Sequence, residues 1–145
     1  MIQTKKIFEL LIIACLIHAC SEVPEVFMSE EYYKANVVHL HELNAQRRME
    51  LAQFATSPNS ALNLNIYFVT DDSMKVLRLA RTLEKKGYAT NRIHPSPKDK
   101  GLWVLNATSG RVSMDSSALN TWSDSLCYLS YHHDCEFEGW NPVTE

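Results

Sequence analysis

Glu136 and Glu138 stand two positions apart near the C-terminus, directly after His132-His133-Asp134-Cys135. In a strand, residues two apart share a face, so the two carboxylates are paired as glycoside chemistry requires. The same spacing is the ordinary solvated side of an alternating strand. The His-His-Asp-Cys run invites a metal reading, but adjacent residues rarely converge on one ion, and the spacing matches no structural zinc pattern. A polar helix-to-strand turn accounts for it. His39 and His41, two apart in a helical stretch, diverge in direction. No Gly-x-Ser-x-Gly elbow, phosphate loop or His-Glu-x-x-His motif occurs. The expectation is a non-enzyme with no catalytic residues, metal, cofactor or identified small-molecule substrate. An envelope enzyme built on Glu136, Glu138 and the two turn histidines is the alternative.

One cysteine carries chemistry of another kind. Leu16-Ile17-His18-Ala19-Cys20 follows Lys5, Lys6 and the apolar run from Leu10 to Ile17. An apolar residue three places before a cysteine and a small one just before it is the pattern of bacterial lipoprotein signal peptides. The apolar run is shorter than the roughly 20 residues a membrane-spanning helix needs. The expectation is a signal peptide over 1–19, lipid attachment at Cys20 and a tether over 20–29. Ser21 follows the cysteine, which favours an outer-membrane anchor facing the periplasm. Cys127 and Cys135 would then meet an oxidising compartment. Helical spacing turns Cys127 away from the Leu126 and Leu129 stripe, and sequence alone leaves their pairing open.

The 145 residues allow one domain plus a targeting segment, with 46% hydrophobic residues and a formal net charge of −3. Without Lys5, Lys6 and Glu9, 12 basic and 16 acidic residues remain, a net charge of −4. That is no footprint for nucleic acid.

The elements that position these residues follow from periodicity. A leading helix over 30–55, capped by Ser29, carries Tyr33, Val37, Leu40, Leu43, Leu51 and Phe54 on one face, interrupted by Asn44 and Arg47. This stripe is expected against the sheet. Leu62 to Val69 alternates as a strand, and a helix closing at Gly87 follows. Tyr88 to Ile93 is a second strand, and 94–101 a loop with two prolines. Leu102 to Ala107 is a central strand, Thr108 to Met114 a turn, and a third helix runs to about Tyr131. Cys135 to Trp140 closes the chain as a strand. Leading helix apart, the order βαββαβ predicts an α+β, ferredoxin-like sandwich over 30–142, its antiparallel sheet covered by helices on one face.

Leu83-Glu84-Lys85-Lys86-Gly87-Tyr88 and Glu136-Phe137-Glu138-Gly139-Trp140 resemble stretches of the regulator of ribonuclease activity B family, the ribonuclease E inhibitor proteins. The resemblance covers roughly residues 30–142. It implies an inhibitor that binds a protein, and family members of that kind are cytoplasmic. This chain departs in its export signal and in lacking a strongly acidic tail. The leading expectation is a lipid-anchored, protein-binding module of inhibitor type with a partner in the envelope. A cytoplasmic ribonuclease E inhibitor with an unprocessed N-terminus is the alternative. Strict alternation puts Tyr67, Glu136, Glu138 and Trp140 on the outward sheet face with Tyr88 and Arg92, a mixed aromatic and acidic surface suited to a protein. For Trp140 the competing expectation is core, covered by the leading helix through Tyr33 or Phe54.

Overall fold

The computed structural model describes residues 26–53 and 60–144. The elements run α1 (Glu30–Gln53), β1 (Ala61–Thr70), α2 (Ser73–Lys85), β2 (Ala89–Pro95), β3 (Trp103–Ser113), α3 (Ser116–His132) and β4 (Glu136–Pro142). The four strands form one antiparallel sheet in the order β2-β3-β1-β4. Two split βαβ units give this order, so the fold is the expected ferredoxin-like sandwich with an added N-terminal helix.

Local chemistry explains the helix boundaries. Asp72 caps α2 by accepting from the Met74 amide, and Asp115 caps α3 by accepting from Ser117 and Ala118. Gly87, at φ 89°, turns the chain out of α2 in the left-handed conformation that lacks a Cβ penalty. Val76, Leu79 and Leu83 of α2 and Leu119 and Leu126 of α3 are buried against Leu64, Ile66, Phe68, Leu105, Ala107 and Phe137.

Three expectations need correction. Thr108 to Met114 is not a turn: β3 continues to Ser113 because β1 is long enough to pair with it, Ala61 to Ser113 and Leu62 to Val112. The Ser-Gly pair that reads as a turn sits where the register between β1 and β3 shifts, and Ser109 Oγ accepts from the Leu64 amide. Pro95 is part of β2, as the last residue of an edge strand, where a missing N–H is tolerated.

The leading helix is the third. α1 packs chiefly on α3 and secondarily on β4, extending the helical layer rather than covering the sheet alone. Its fully buried positions are Asn36, Leu40 and Asn44, four apart, and two of the three are amides. Tyr33 stacks on Tyr131 of α3 at 4.7 Å, and His41 Nε2 lies 2.7 Å from Asp124 Oδ1. Asn44, read from sequence as an interruption, is the centre of the interface. Phe54 lies outside the described residues. Cys127 is buried rather than turned outward, because α1 covers that flank of α3; Asn36 Nδ2 reaches both its sulfur at 3.6 Å and the Phe137 carbonyl at 3.1 Å.

Candidate interaction surface

In antiparallel register, residues paired across two strands share a face. The β1 pairs Tyr67 with Asn106, Asn65 with Thr108 and Val69 with Glu136, together with Arg92 against Asn106, define the face away from the helices. Tyr67 is half-buried between Asn106 and Gly139, at the middle of this face. Arg92 is exposed on it. Asn106 Oδ1 is buried there and has no hydrogen-bond partner among the described residues. A buried acceptor left unmade costs roughly 1–3 kcal/mol, so the amide is an unmet polar group beneath this face.

Glu136 begins β4 on this face and accepts from the Tyr32 hydroxyl at 2.9 Å, a contact that ties α1 to the sheet edge. Desolvation holds its carboxyl above the usual glutamate range, and the nearby Glu138 adds to this, against the opposing effect of Tyr32. Tyr32 is pushed up to about 12 by desolvation and by Glu136. Glu138 is exposed, and its carboxyl is also raised, by desolvation and by Asp99, with Lys98 opposing. The loop between β2 and β3 therefore lies within electrostatic reach of Glu138. The two glutamates are not an equivalent pair: one is engaged by a tyrosine and the other faces solvent.

Trp140 does not belong to this surface. It is fully buried, and its Nε1 donates to Asn44 Oδ1 at 2.7 Å. Strict alternation would put Phe137 and Trp140, three apart, on opposite faces. A β-bulge absorbs the extra residue: Phe68 pairs with Phe137 but Tyr67 pairs with Gly139, leaving Glu138 between them. Both aromatic side chains then face the helices. Gly139 makes the bulge affordable, with φ at 128° and an added Cβ only 2.9 Å from Leu43 Cδ2. The leading helix covers Trp140 through Asn44 and Arg47, not through Tyr33; the Arg47 guanidinium sits 5.4 Å from the ring centroid and donates to Asn141 Oδ1. Tyr88 also leaves the surface, since its hydroxyl accepts from Trp122 Nε1 on the helix side.

Asp134 is the residue whose role local sequence hides. Its Oδ1 and Oδ2 accept from the Met28 and Phe27 amides at 2.7 and 3.1 Å, across more than 100 residues. Lys75 Nζ lies 2.6 Å from both Asp134 Oδ2 and Asp71 Oδ1. Desolvation alone would raise the Asp134 carboxyl, but the Lys75 and backbone bonds outweigh it and hold it below the usual range. Its φ of 55° suits an aspartate in the turn after α3. Phe27 and Met28, expected in the tether, are thus bound to the domain, and Met28 is buried. His132 ends α3 and His133 caps it, as a polar turn requires. Among the described residues, no group of three or more His, Cys, Asp or Glu side chains is placed to hold a metal ion.

Residues 41–141 match the family model for regulator of ribonuclease activity B, more than two thirds of the chain. The chain belongs to that family. Regulator of ribonuclease activity B proteins are regulators rather than enzymes, and they bind a protein, ribonuclease E. No curated protein matches the chain. The match begins at His41, inside α1, so it includes Asn44, Arg47 and the Gly139 bulge but not the Asp134-bound segment at Phe27 and Met28.

Proposed function

We propose that this regulator of ribonuclease activity B domain is a lipid-anchored, non-catalytic binding module, held at the envelope through Cys20 and inhibiting a protein partner there. The anchor places it at the outer membrane, facing the periplasm. The observation that carries the binding reading is the helix-free face of the sheet, where half-buried Tyr67 and exposed Arg92 flank Asn106 in register. Aromatic and arginine side chains side by side on an uncovered face suit a protein interface, where such residues are enriched. The acidic Glu136 and Glu138 disfavour a phosphate backbone. Both free thiols are buried and desolvation pushes Cys127 and Cys135 up to about 12, so neither offers a thiolate for disulfide exchange in either compartment.

Radiolabelled palmitate incorporation that Cys20→Ala abolishes tests the anchor; labelling independent of Cys20 overturns it. Arg92→Glu, on an exposed position, tests the surface. It should reduce cross-linking to envelope proteins while leaving the melting temperature unchanged. Family membership favours a second reading, regulation of ribonuclease E in the cytoplasm by a chain that keeps its N-terminus. Absence of palmitate together with capture of purified ribonuclease E selects that reading.

A further inference from the structure

The domain grips the very stretch of chain that leads to Cys20. Val26 to Leu40 precedes the family match, yet it is fastened at three levels. Asp134 takes the Phe27 and Met28 amides, Tyr32 donates to Glu136, and Asn36 donates to the Phe137 carbonyl. All of these lie toward one end of the sheet, where β1 stops at Thr70 and β4 starts at Glu136. Thr70 Oγ1 itself donates to the Asp134 carbonyl at 2.8 Å.

Six residues, Ser21 through Val26, separate Cys20 from Phe27. Even fully extended they reach roughly 25 Å, at about 3.5 Å per residue. The ten residues of β1 span about 33 Å and the 24 of α1 about 36 Å. The leash is therefore shorter than the domain is long, and it is rooted at one end.

We propose that Asp134 clamps the chain just after its lipid anchor, so that the Thr70–Glu136 end of the sheet faces the membrane and the opposite end faces away. The membrane in this proposal rests on the lipid-anchor reading above; the clamp does not. Lys98 and Lys100, in the loop joining Pro95 to Trp103, belong to the near end, because Trp103 pairs with Thr70. Lys85 and Lys86 close α2 at the far end, beside Gly87.

The test uses the chain from Cys20 to Glu145 with a maleimide lipid coupled to Cys20, seated in vesicles containing phosphatidylethanolamine. Burial of Cys127 and Cys135 directs the coupling to Cys20. A short amine-to-amine cross-linker then joins nearby lysines to lipid headgroups, and mass spectrometry compares the two ends. Lys98 and Lys100 should be modified several-fold more than Lys85 and Lys86. A 20-residue Gly/Ser insert between Glu25 and Val26 leaves the clamp intact but adds about 25 Å of root-mean-square reach, and it should equalise the ends. Asp134→Ala, which releases Phe27, should narrow the difference too. Equal modification in the wild-type chain, or a bias that survives the insert, overturns the proposal. Because the lipid is attached chemically, failure here is distinct from failure of Cys20-dependent palmitate labelling in cells.

Discussion

Asn44→Ala isolates the polar bond that holds α1 to the domain. The Asn44 side chain makes three hydrogen bonds: Nδ2 donates to Asn120 Oδ1 and Ser123 Oγ, each at 2.9 Å, and Oδ1 accepts from Trp140 Nε1 at 2.7 Å. Alanine leaves the indole N–H of a fully buried tryptophan without a partner, which costs about 1–3 kcal/mol. Ser123 Oγ still donates to the Asn120 carbonyl, so the loss on α3 is smaller. With the cavity left by the amide, the total is about 2–4 kcal/mol. Urea melts should show this as a lower midpoint at unchanged slope, since a folded α1 keeps the exposed area constant. A double-mutant cycle with Trp140→Phe, which deletes the orphaned donor, should recover a coupling of about 1–3 kcal/mol. A loss below about 0.5 kcal/mol, the size of an ordinary surface change, would mean that α1 is not docked through this amide.

Gly139→Ala should cost about 1–3 kcal/mol, the usual strain of a non-glycine residue in a sparsely populated backbone region; a neutral result by thermal melting would contradict the bulge. Phe137→Ala, from full burial, should cost about 3–5 kcal/mol, while Glu138→Ala stays within about 0.5 kcal/mol; equal effects would reverse the faces of β4. Cys127 and Cys135 should react with a thiol reagent only at the rate of unfolding, and fast labelling of the native chain would refute their burial. Because Asp134 is held below the ordinary aspartate value of 3.8, its contribution is full above that value and lost as pH falls through its folded value. The Phe27 and Met28 amide resonances should therefore titrate below pH 3.8, and a midpoint at or above it would count against the clamp.

The order of elements was legible because each rests on local chemistry: alternation in β1, caps at Asp72 and Asp115, a left-handed glycine at 87. Lys85-Lys86-Gly87-Tyr88 and Gly139-Trp140 were enough to suggest the family. What alternation could not show was the face of Trp140, because one bulged residue reverses every side chain beyond it. Nor could a search for apolar stripes find the interface of α1, whose buried positions include two amides satisfied only by partners about 80 to 100 residues away. The spacing of four shared by Asn36, Leu40 and Asn44 was the available signal, hidden by the assumption that amides face water.

The correction at Trp140 changes what Gly139-Trp140 means. As a surface pair it would have been a partner contact, replaceable if the partner changed. As a buried pair it joins β4 to α1: the glycine lets Leu43 approach and the indole anchors Asn44. Both Leu43 and Asn44 fall within the stretch that matches the family, and both are committed to this joint rather than to a surface. Specificity has to come from residues the fold does not need. Arg92 and Glu138 are exposed and free to vary without cost to the core. The Asp134-bound segment before His41 lies outside the matched region, but Met28, Asn36 and Leu40 within it are buried, so it is not free to vary in the same way. Arg92 and Glu138 can therefore change without disturbing the joint that Gly139, Trp140 and Asn44 make between β4 and α1.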